Sequence, residues 1–394
     1  VICAMAEKWV IVRDVSKVFG SNPEAALDLM RSGENKDSIL ARTGTVVGLN
    51  RVSFDVSEGE ILVVMGLSGS GKSTMLRCIN RLVEPSAGSI VVDGTEVTSL
   101  STKRLLEFRR AKFGMVFQHF ALFPNRTILE NVEYGLEIQK VDQRQRAEKA
   151  MHAIEIVGLK GWEKKYPSEL SGGMQQRAGL ARALAVDADI LLMDEAFSAL
   201  DPLIRRGMQQ ELRQLQQNLR KTIVFVSHDL DEAINLGGRI VLMKDGEIVQ
   251  IGWPEEILMQ PATDYVRRFV EHIDVSSVLT VERLADTAVP VLHPWQTVSE
   301  AREVIDNRSI GTLYVVDDSG RLVGRVAHDT LTASLRPSQA LDQLMQTDIA
   351  CVQADITLKA ALPVLASEPD SVAVVGEGGR VLGSLTSRGA VGAP

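Results

Sequence analysis

Three short stretches carry residue types whose spacing could do chemistry. GLSGSGKST, Gly66 to Thr74, fits G-x-x-x-x-G-K-[ST] and stands between the apolar run ILVVM and the helix formers TMLRCINRL. Glycines let backbone N–H groups close around phosphate oxygens, and the helix start adds partial positive charge. Gly66, Leu67, Ser68, Gly69, Ser70 and Gly71 would form this cradle, with Thr74 at its end. Lys72 would reach the β- and γ-phosphates, and Ser73 would offer a hydroxyl to Mg²⁺. ILLMDE, residues 190–195, supplies two acids at the end of a buried strand. Asp194 is placed to hold Mg²⁺ through water, and Glu195 to orient or deprotonate an attacking water. LSGGMQQR, Leu170 to Arg177, sets a serine and two glycines before a long run of helix formers. That is a second anion cradle, and one chain with two cradles needs an explanation.

The elements that must position these residues follow from periodicity. Residues 9–19 and 51–65 alternate or run apolar like strands. Strands return at 188–193, 222–227 and 239–243, whereas 100–183 reads as mainly helical. Strands alternating with helices imply a mostly parallel, helix-covered sheet. Between the first strands, residues 21–44 carry helix starts at Asn22-Pro23 and Asp37-Ser38 and glycine stops at Gly33 and Gly44. Two short inserted helices are expected there. Residues 254–275 read as helix leading into a linker.

The C-terminal part contains a repeat. VVDDSGRLVG (315–324) and VVGEGGRVLG (374–383) match at an offset of 59 residues. Each copy follows a helical segment opened by a threonine, Thr297 or Thr357. Two small β–α–β–β units would pack as one module, because neither buries its apolar face well alone.

Composition narrows the class. The chain has 394 residues, 45% of them apolar, which allows two or three globular domains. A net charge of −8 gives no overall pull toward nucleic acid. Cys3, Cys78 and Cys351 are too far apart in sequence to read as a disulfide framework or zinc site, so a reducing cytoplasm is expected. No run of 18 apolar residues occurs, so no membrane-spanning helix is expected, and the opening VICAM is too short to read as a signal peptide.

Gly66–Thr74, Gln118, LSGGMQQR, ILLMDE, SALD (Ser198 to Asp201) and His228 stand in the order and approximate spacing of an ABC-transporter ATP-binding subunit. The resemblance covers about residues 9–260 and implies an α/β P-loop NTPase fold with a helical subdomain at about 120–185. In that family two subunits dimerise head to tail. The second cradle, Ser171, Gly172 and Gly173, then caps the ATP held by the partner's first cradle, which accounts for two cradles in one chain. The resemblance also implies roles for single residues. Gln118 would sense Mg²⁺ and the attacking water, His228 would contact the γ-phosphate, Asp201 would couple the two sites, and Phe19 would stack on adenine. The 46 residues between Phe19 and Gly66 exceed the family's usual spacing, and the 21–44 insert accounts for the excess.

The insert, together with MGLSGSGKST, ALFPNRT, LLMDEAFSALDPLIR and IVFVSHDLDEA, resembles the ATP-binding subunits of glycine betaine/L-proline (quaternary amine) importers. The C-terminal repeat resembles an α+β tandem CBS pair, which several members of that group carry. The implied domains are a cassette at 1–260, a linker helix at 261–279 and a regulatory module at 280–394. The implied partners are a second copy of the chain, an integral membrane permease and an external substrate-binding protein. The implied location is the cytoplasmic face of the inner membrane, and no nucleic acid is expected. The module at 276–394 has 9 Lys/Arg against 14 Asp/Glu, so no broad basic face for anionic lipid is expected, although Arg321, Arg325 and Arg380 could form a local patch. Binding of a small regulatory nucleotide and a purely packing role both stand on sequence alone. An importer for another small solute is the nearest alternative. A soluble ATPase acting on nucleic acid or the ribosome is disfavoured by the acidic charge and the single cassette. Glu195 and His228 argue against a cassette that binds ATP without hydrolysing it.

Overall fold

Short apolar runs lie side by side in one six-stranded sheet. Across it the order is Glu247–Gly252, Arg239–Lys244, Ile61–Met65, Thr222–Val226, Ile190–Asp194 and Phe113–Phe117. Every neighbouring pair is parallel except the outer hairpin 239–252. Side chains alternate between two cores, as the two-residue period of a strand requires. Val63, Met65, Leu191, Met193, Ile223 and Phe225 enter one, and Leu62, Val64, Ile190, Leu192, Val224 and Val226 the other. Each such burial stabilises by about 1.5–3 kcal/mol, so this register is strongly preferred over a slipped one.

The second core is closed by an antiparallel sheet of order Val46–Ser57, Lys8–Phe19, Ala87–Val92 and Thr95–Glu96. The first is closed by the helices Ile128–Ile138, Gln143–Ile156 and Gly172–Ala185, which bury Val132, Leu136, Ala150, Ile154 and Leu180.

The computed structural model describes residues 8–118, 120–198, 200–308, 311–334, 336–368 and 370–386. The chain divides into two units, Val1–Ile273 and Asp274–Pro394. Within 261–279, read from sequence as a linker helix, Asp264–Val270 is a helix of the first unit, because Val266 and Val270 are buried in its core. Among the described residues no helix is long and apolar enough to cross a membrane.

Two local findings depart from the sequence reading. Phe113–Phe117 is a strand inside a stretch read as helical. Its five residues follow the strong helix Thr102–Lys112 directly, and one of them, Gly114, weakens the strand signal. Gly114 is required by packing, since a Cβ there would lie 2.9 Å from the Ala183 carbonyl oxygen. In the insert, Asn22 caps Pro23–Arg31 as expected, but the second helix, Lys36–Thr43, is capped by Asn35 and not at Asp37-Ser38. Asn35 wins because its side chain accepts the Ser38 N–H at 2.9 Å. The two helices bury Ala26, Met30 and Ile39 against Val18.

The second unit holds two three-stranded sheets built alike. Val291–Leu292, Thr312–Val316 and Leu322–Ala327 form one, and Cys351–Gln353, Ser371–Val375 and Val381–Thr386 the other. Val315 pairs with Gly324 and Val374 with Gly383, so the repeated hairpins share one register. Thr357 caps its helix by accepting the Ala360 N–H, and Thr297 accepts the Glu300 N–H in the same way.

One buried side chain fixes the loop beyond the strand Phe113–Phe117. Asn131 accepts the Phe123 N–H at 2.7 Å and donates to the carbonyls of Phe123, Arg126 and Thr127 at 3.1, 3.0 and 2.9 Å. Asn131→Ala removes the partner of the Phe123 N–H and of the Arg126 carbonyl, whereas the carbonyls of Phe123 and Thr127 keep backbone bonds from Arg126 and Asn131. It is expected to lower stability by about 2–3 kcal/mol, read as a lower urea midpoint; an unchanged midpoint would show that water replaces the amide.

Candidate active site

The parallel sheet delivers four chain segments to one edge. Phe117, Asp194 and Val226 are aligned partners, and Val64 pairs with Val226. The residues that follow, Gln118, Glu195, Ser227-His228 and Gly66, therefore emerge together at the carboxyl ends, where open α/β sheets hold ligands.

The first cradle needs its glycines. Gly66, Gly69 and Gly71 all have positive φ. A Cβ would stand 2.2 Å from the Met243 carbonyl oxygen at Gly66 and 2.6 Å from the Gly48 carbonyl oxygen at Gly71. Gly71 caps the helix Lys72–Ile79 without a side-chain bond, leaving the helix's first N–H groups free for an anion. Leu67, Ser68 and Gly69 form an exposed rim, while Ser70 and Lys72 are buried and Thr74 is half-buried. The Ser70 hydroxyl is buried without a hydrogen-bond partner. Lys72 Nζ donates to the carbonyls of Gly66 and Leu67 at 2.8 and 3.0 Å. Burial pushes its pKa down, and the charges of Glu195 and Asp194 oppose that shift. An orphaned hydroxyl, free N–H groups and a caged ammonium together fit a phosphate chain.

Two predicted metal residues meet. Ser73 Oγ donates to Asp194 Oδ1 at 2.7 Å, and Arg77 donates to the other carboxylate oxygen at 3.0 Å. Gln118, also expected at the metal, instead donates from Nε2 to Glu195 at 3.3 Å and to the Ser198 hydroxyl at 3.2 Å. Glu195 itself sits at φ 46°, a conformation costly for a residue with a side chain. Its N–H is held by the Val226 carbonyl at 3.1 Å, and its carboxylate lies 3.5 Å from His228 Nδ1. His228 is more than half exposed and Glu195 about one-fifth, so both border open space.

Phe19 reaches this edge through Gly48. The ring lies where a Gly48 Cβ would be, 2.7 Å away, and the Gly48 carbonyl abuts Gly71. Phe19 pairs with Val46, so the insert loops out and returns beside the cradle. The ring is 43% exposed, with Lys17 Nζ 4.9 Å from its centroid.

The second cradle is built differently. Ser171 caps the helix Gly172–Ala185 and accepts the Met174 N–H at 3.4 Å. Ser171 and Gly172 are exposed, whereas Gly173 is buried, and a Cβ on it would lie 2.8 Å from Ile204. Asp201 caps the helix Pro202–Leu219 by accepting the Leu203 and Ile204 N–H groups at 3.1 and 3.0 Å. Among the described residues no hydrogen bond joins Ser171, Gly172 or Gly173 to Gly66–Thr74.

Gly48 and Arg77 touch this site without having been singled out from the sequence, and Ser198 and Arg205 entered only as members of the quoted stretch LLMDEAFSALDPLIR. Their contacts join segments far apart in the chain, and no local spacing announces them.

Comparison with known proteins shows the family of the chain. The family model described as "ABC transporter" matches residues 49–198, and the CBS domain model matches 281–336 and 341–393. The glycine betaine transport ATP-binding protein OpuAA of Bacillus subtilis (strain 168) is 48% identical over 97% of this chain and 91% of its own length. The glycine betaine/carnitine transport ATP-binding protein GbuA of Listeria monocytogenes serotype 1/2a (strain 10403S) is 45% identical over 93% of each chain. A solved structure, the ATP-binding cassette MJ0796 in a dimeric post-hydrolysis state bound to ADP and Pi, superposes with a TM-score of 0.53 at 33% identity. It covers 62% of this chain and 98% of that one. The chain belongs to the ABC transporter family, among the glycine betaine transport ATP-binding proteins, and carries a tandem pair of CBS domains.

Proposed function

We propose that this chain is the ATP-hydrolysing subunit of an importer, driving uptake of a quaternary amine through a partner permease. The observation that carries the hydrolytic part is the meeting of Lys72, Ser73, Asp194, Glu195, Gln118 and His228 at one sheet edge. The relatives named for glycine betaine transport support the solute class.

Each residue takes one task. The backbone of Gly66–Thr74 and Lys72 bind and orient the phosphates of ATP, and Phe19 lies against the adenine. Ser73 and Asp194 present hard oxygens suited to Mg²⁺, which when bound neutralises charge on the phosphates. Gln118 holds the Glu195 carboxylate toward the water it orients, and His228 donates toward the γ-phosphate. The low local dielectric strengthens these contacts once water is excluded.

Exclusion of water requires a cover, and the chain's own Ser171 cradle makes no bond to its own phosphate loop. The cover is the second cradle of another copy, as the solved dimeric cassette supports. Two chains then form two sites, with the turn at Asp201 lying between them. The permease would receive the motion near Gln118 at the cytoplasmic membrane face, and an external binding protein would deliver the solute to it.

Uptake of radiolabelled glycine betaine should rise in cells expressing this chain with its encoded permease and binding protein. Glu195→Gln should abolish that uptake and cut ATP turnover by about a hundredfold or more while keeping ATP bound. Turnover at the parental rate in Glu195→Gln would refute the role given to Glu195. Loss of ATPase without any betaine uptake by the parent would leave the hydrolytic reading and remove the solute.

The paired hairpins of the second unit support a regulatory role, in which the unit takes a small adenine nucleotide and biases the dimer. Lys72→Ala, which disables the cassette site, should still give binding heat with adenine nucleotides in calorimetry. An absence of heat would leave packing as the unit's role.

A further inference from the structure

Arg205 lies one turn into the helix Pro202–Leu219 and touches two loops at once. Its Nη2 donates to the carbonyls of Leu200 at 3.1 Å and Ser198 at 3.4 Å. Its Nη1 donates to the Asp229 carboxylate at 3.1 Å. Its Nε faces Glu232 Oε1 at 3.7 Å, and both of those atoms are buried with no hydrogen-bond partner.

The far side of this contact flanks His228 in the chain. Ser227 Oγ donates to the other oxygen of Glu232 and accepts the Asp229 N–H at 2.9 Å. Asp229 is thus bonded to this guanidinium, and Ser227 is bonded to Glu232, which faces the same guanidinium as an ion pair at 3.7 Å. The near side encloses Glu195. Ser198 Oγ donates to the Glu195 carbonyl at 2.9 Å and accepts from Gln118.

We propose that Arg205 is a positioning residue that locks the turn carrying Ser198 and Leu200 to the segment flanking His228. The inference rests on the proposed roles of Glu195 and His228 and extends them. Glu195 and His228 stand on loops after different strands, and no backbone hydrogen bond among the described residues joins Ser198 or Leu200 to His228 or Asp229. A planar fork with five donors can hold two carbonyls and a carboxylate in one frame, which a lysine cannot. Because that turn runs into Asp201, the same fork ties the placement of His228 to the surface offered to a second copy. The unpaired Nε and Oε1 leave about 0.5–1 Å of travel before they bond, so the two loops can move together without breaking the fork.

A rival role is plain charge compensation. Glu232 is 4% exposed, and burial raises its pKa, so removing Arg205 alone leaves a costly group behind. The test therefore uses Arg205→Met combined with Glu232→Gln, alongside Arg205→Lys, in the full chain with Mg²⁺ and ATP. Melting temperature, kcat and KM for ATP are measured. Positioning predicts a melting temperature near the parent's, an unchanged KM, and a fall in kcat of about a hundredfold in the double variant. Arg205→Lys should show a smaller fall in kcat, again with KM unchanged. Parental kcat in a folded double variant would reduce Arg205 to a counter-charge and overturn the inference. If the double variant does not fold, Arg205→Lys decides alone, and parental kcat there overturns it. Glu195→Gln runs beside them. Its hydrolysing normally would sink the underlying reading of the site, whereas an inactive Glu195→Gln with fully active Arg205 variants sinks only the positioning role.

Discussion

The hydrogen-bond register of five parallel strands is the constraint on which everything else depends. Phe117, Asp194, Val226 and Val64 are locked abreast, and each strand ends within a residue or two of that line. Slipping any strand by one residue would turn its buried side chains to the wrong core. The burial of Leu191, Leu192, Ile223 and Val224, each at most 2% exposed, therefore aligns Gly66, Gln118, Glu195 and His228. The gathering of these residues at one edge is a consequence of packing and needs no dedicated scaffold.

Strain and close approach are concentrated where this edge meets solvent. Glu195 holds a left-handed φ, and Gly66 and Gly71 occupy space that admits no Cβ. Ser70 keeps an unpaired hydroxyl, and Lys72 is caged by its own loop's carbonyls. Such costs persist when the surrounding sheet over-determines them and a ligand gains from them. The Ser171 cradle is the opposite case. Ser171 and Gly172 are exposed, Ser171 caps its helix normally, and among the described residues no hydrogen bond joins this cradle to the phosphate loop of its own chain, which supports the proposed cover of one chain's ATP by another copy.

How far the site was legible depends on the range over which each residue acts. Gly66–Thr74 and ILLMDE were readable because phosphate and metal chemistry need fixed residue types at short spacing. The repeat at 315–324 and 374–383 was readable because both hairpins keep the same strand register, Val315 with Gly324 and Val374 with Gly383. The strand Phe113–Phe117 was hidden by the helix formers before it and by Gly114, whose purpose is a close approach to Ala183. Gly48 was not readable at all, and Arg205 was legible only as the end of the stretch LLMDEAFSALDPLIR, without its role. Gly48 matters because Phe19 and Gly71 pack on its two sides, and Arg205 because Ser198 and Leu200 of one loop, Asp229 of another and Glu232 of the helix after it converge on it. Gln118 shows a middle case, since its position was legible but its contact with Ser198 and Glu195, and not with Ser73, emerged only from the fold.

The central claim is that one chain holds two half-sites that only a second copy completes. The most direct measurement is oxidative cross-linking between two chains, one with Ser68→Cys and one with Ser171→Cys. Both carry Glu195→Gln, and both have Cys3 and Cys351 replaced by Ser. A disulfide forms only when the two α-carbons come within about 7 Å. A covalent dimer of the two different chains is expected in ATP and none in ADP. No cross-link in ATP, or a disulfide within a single chain carrying both cysteines, would contradict the two half-sites.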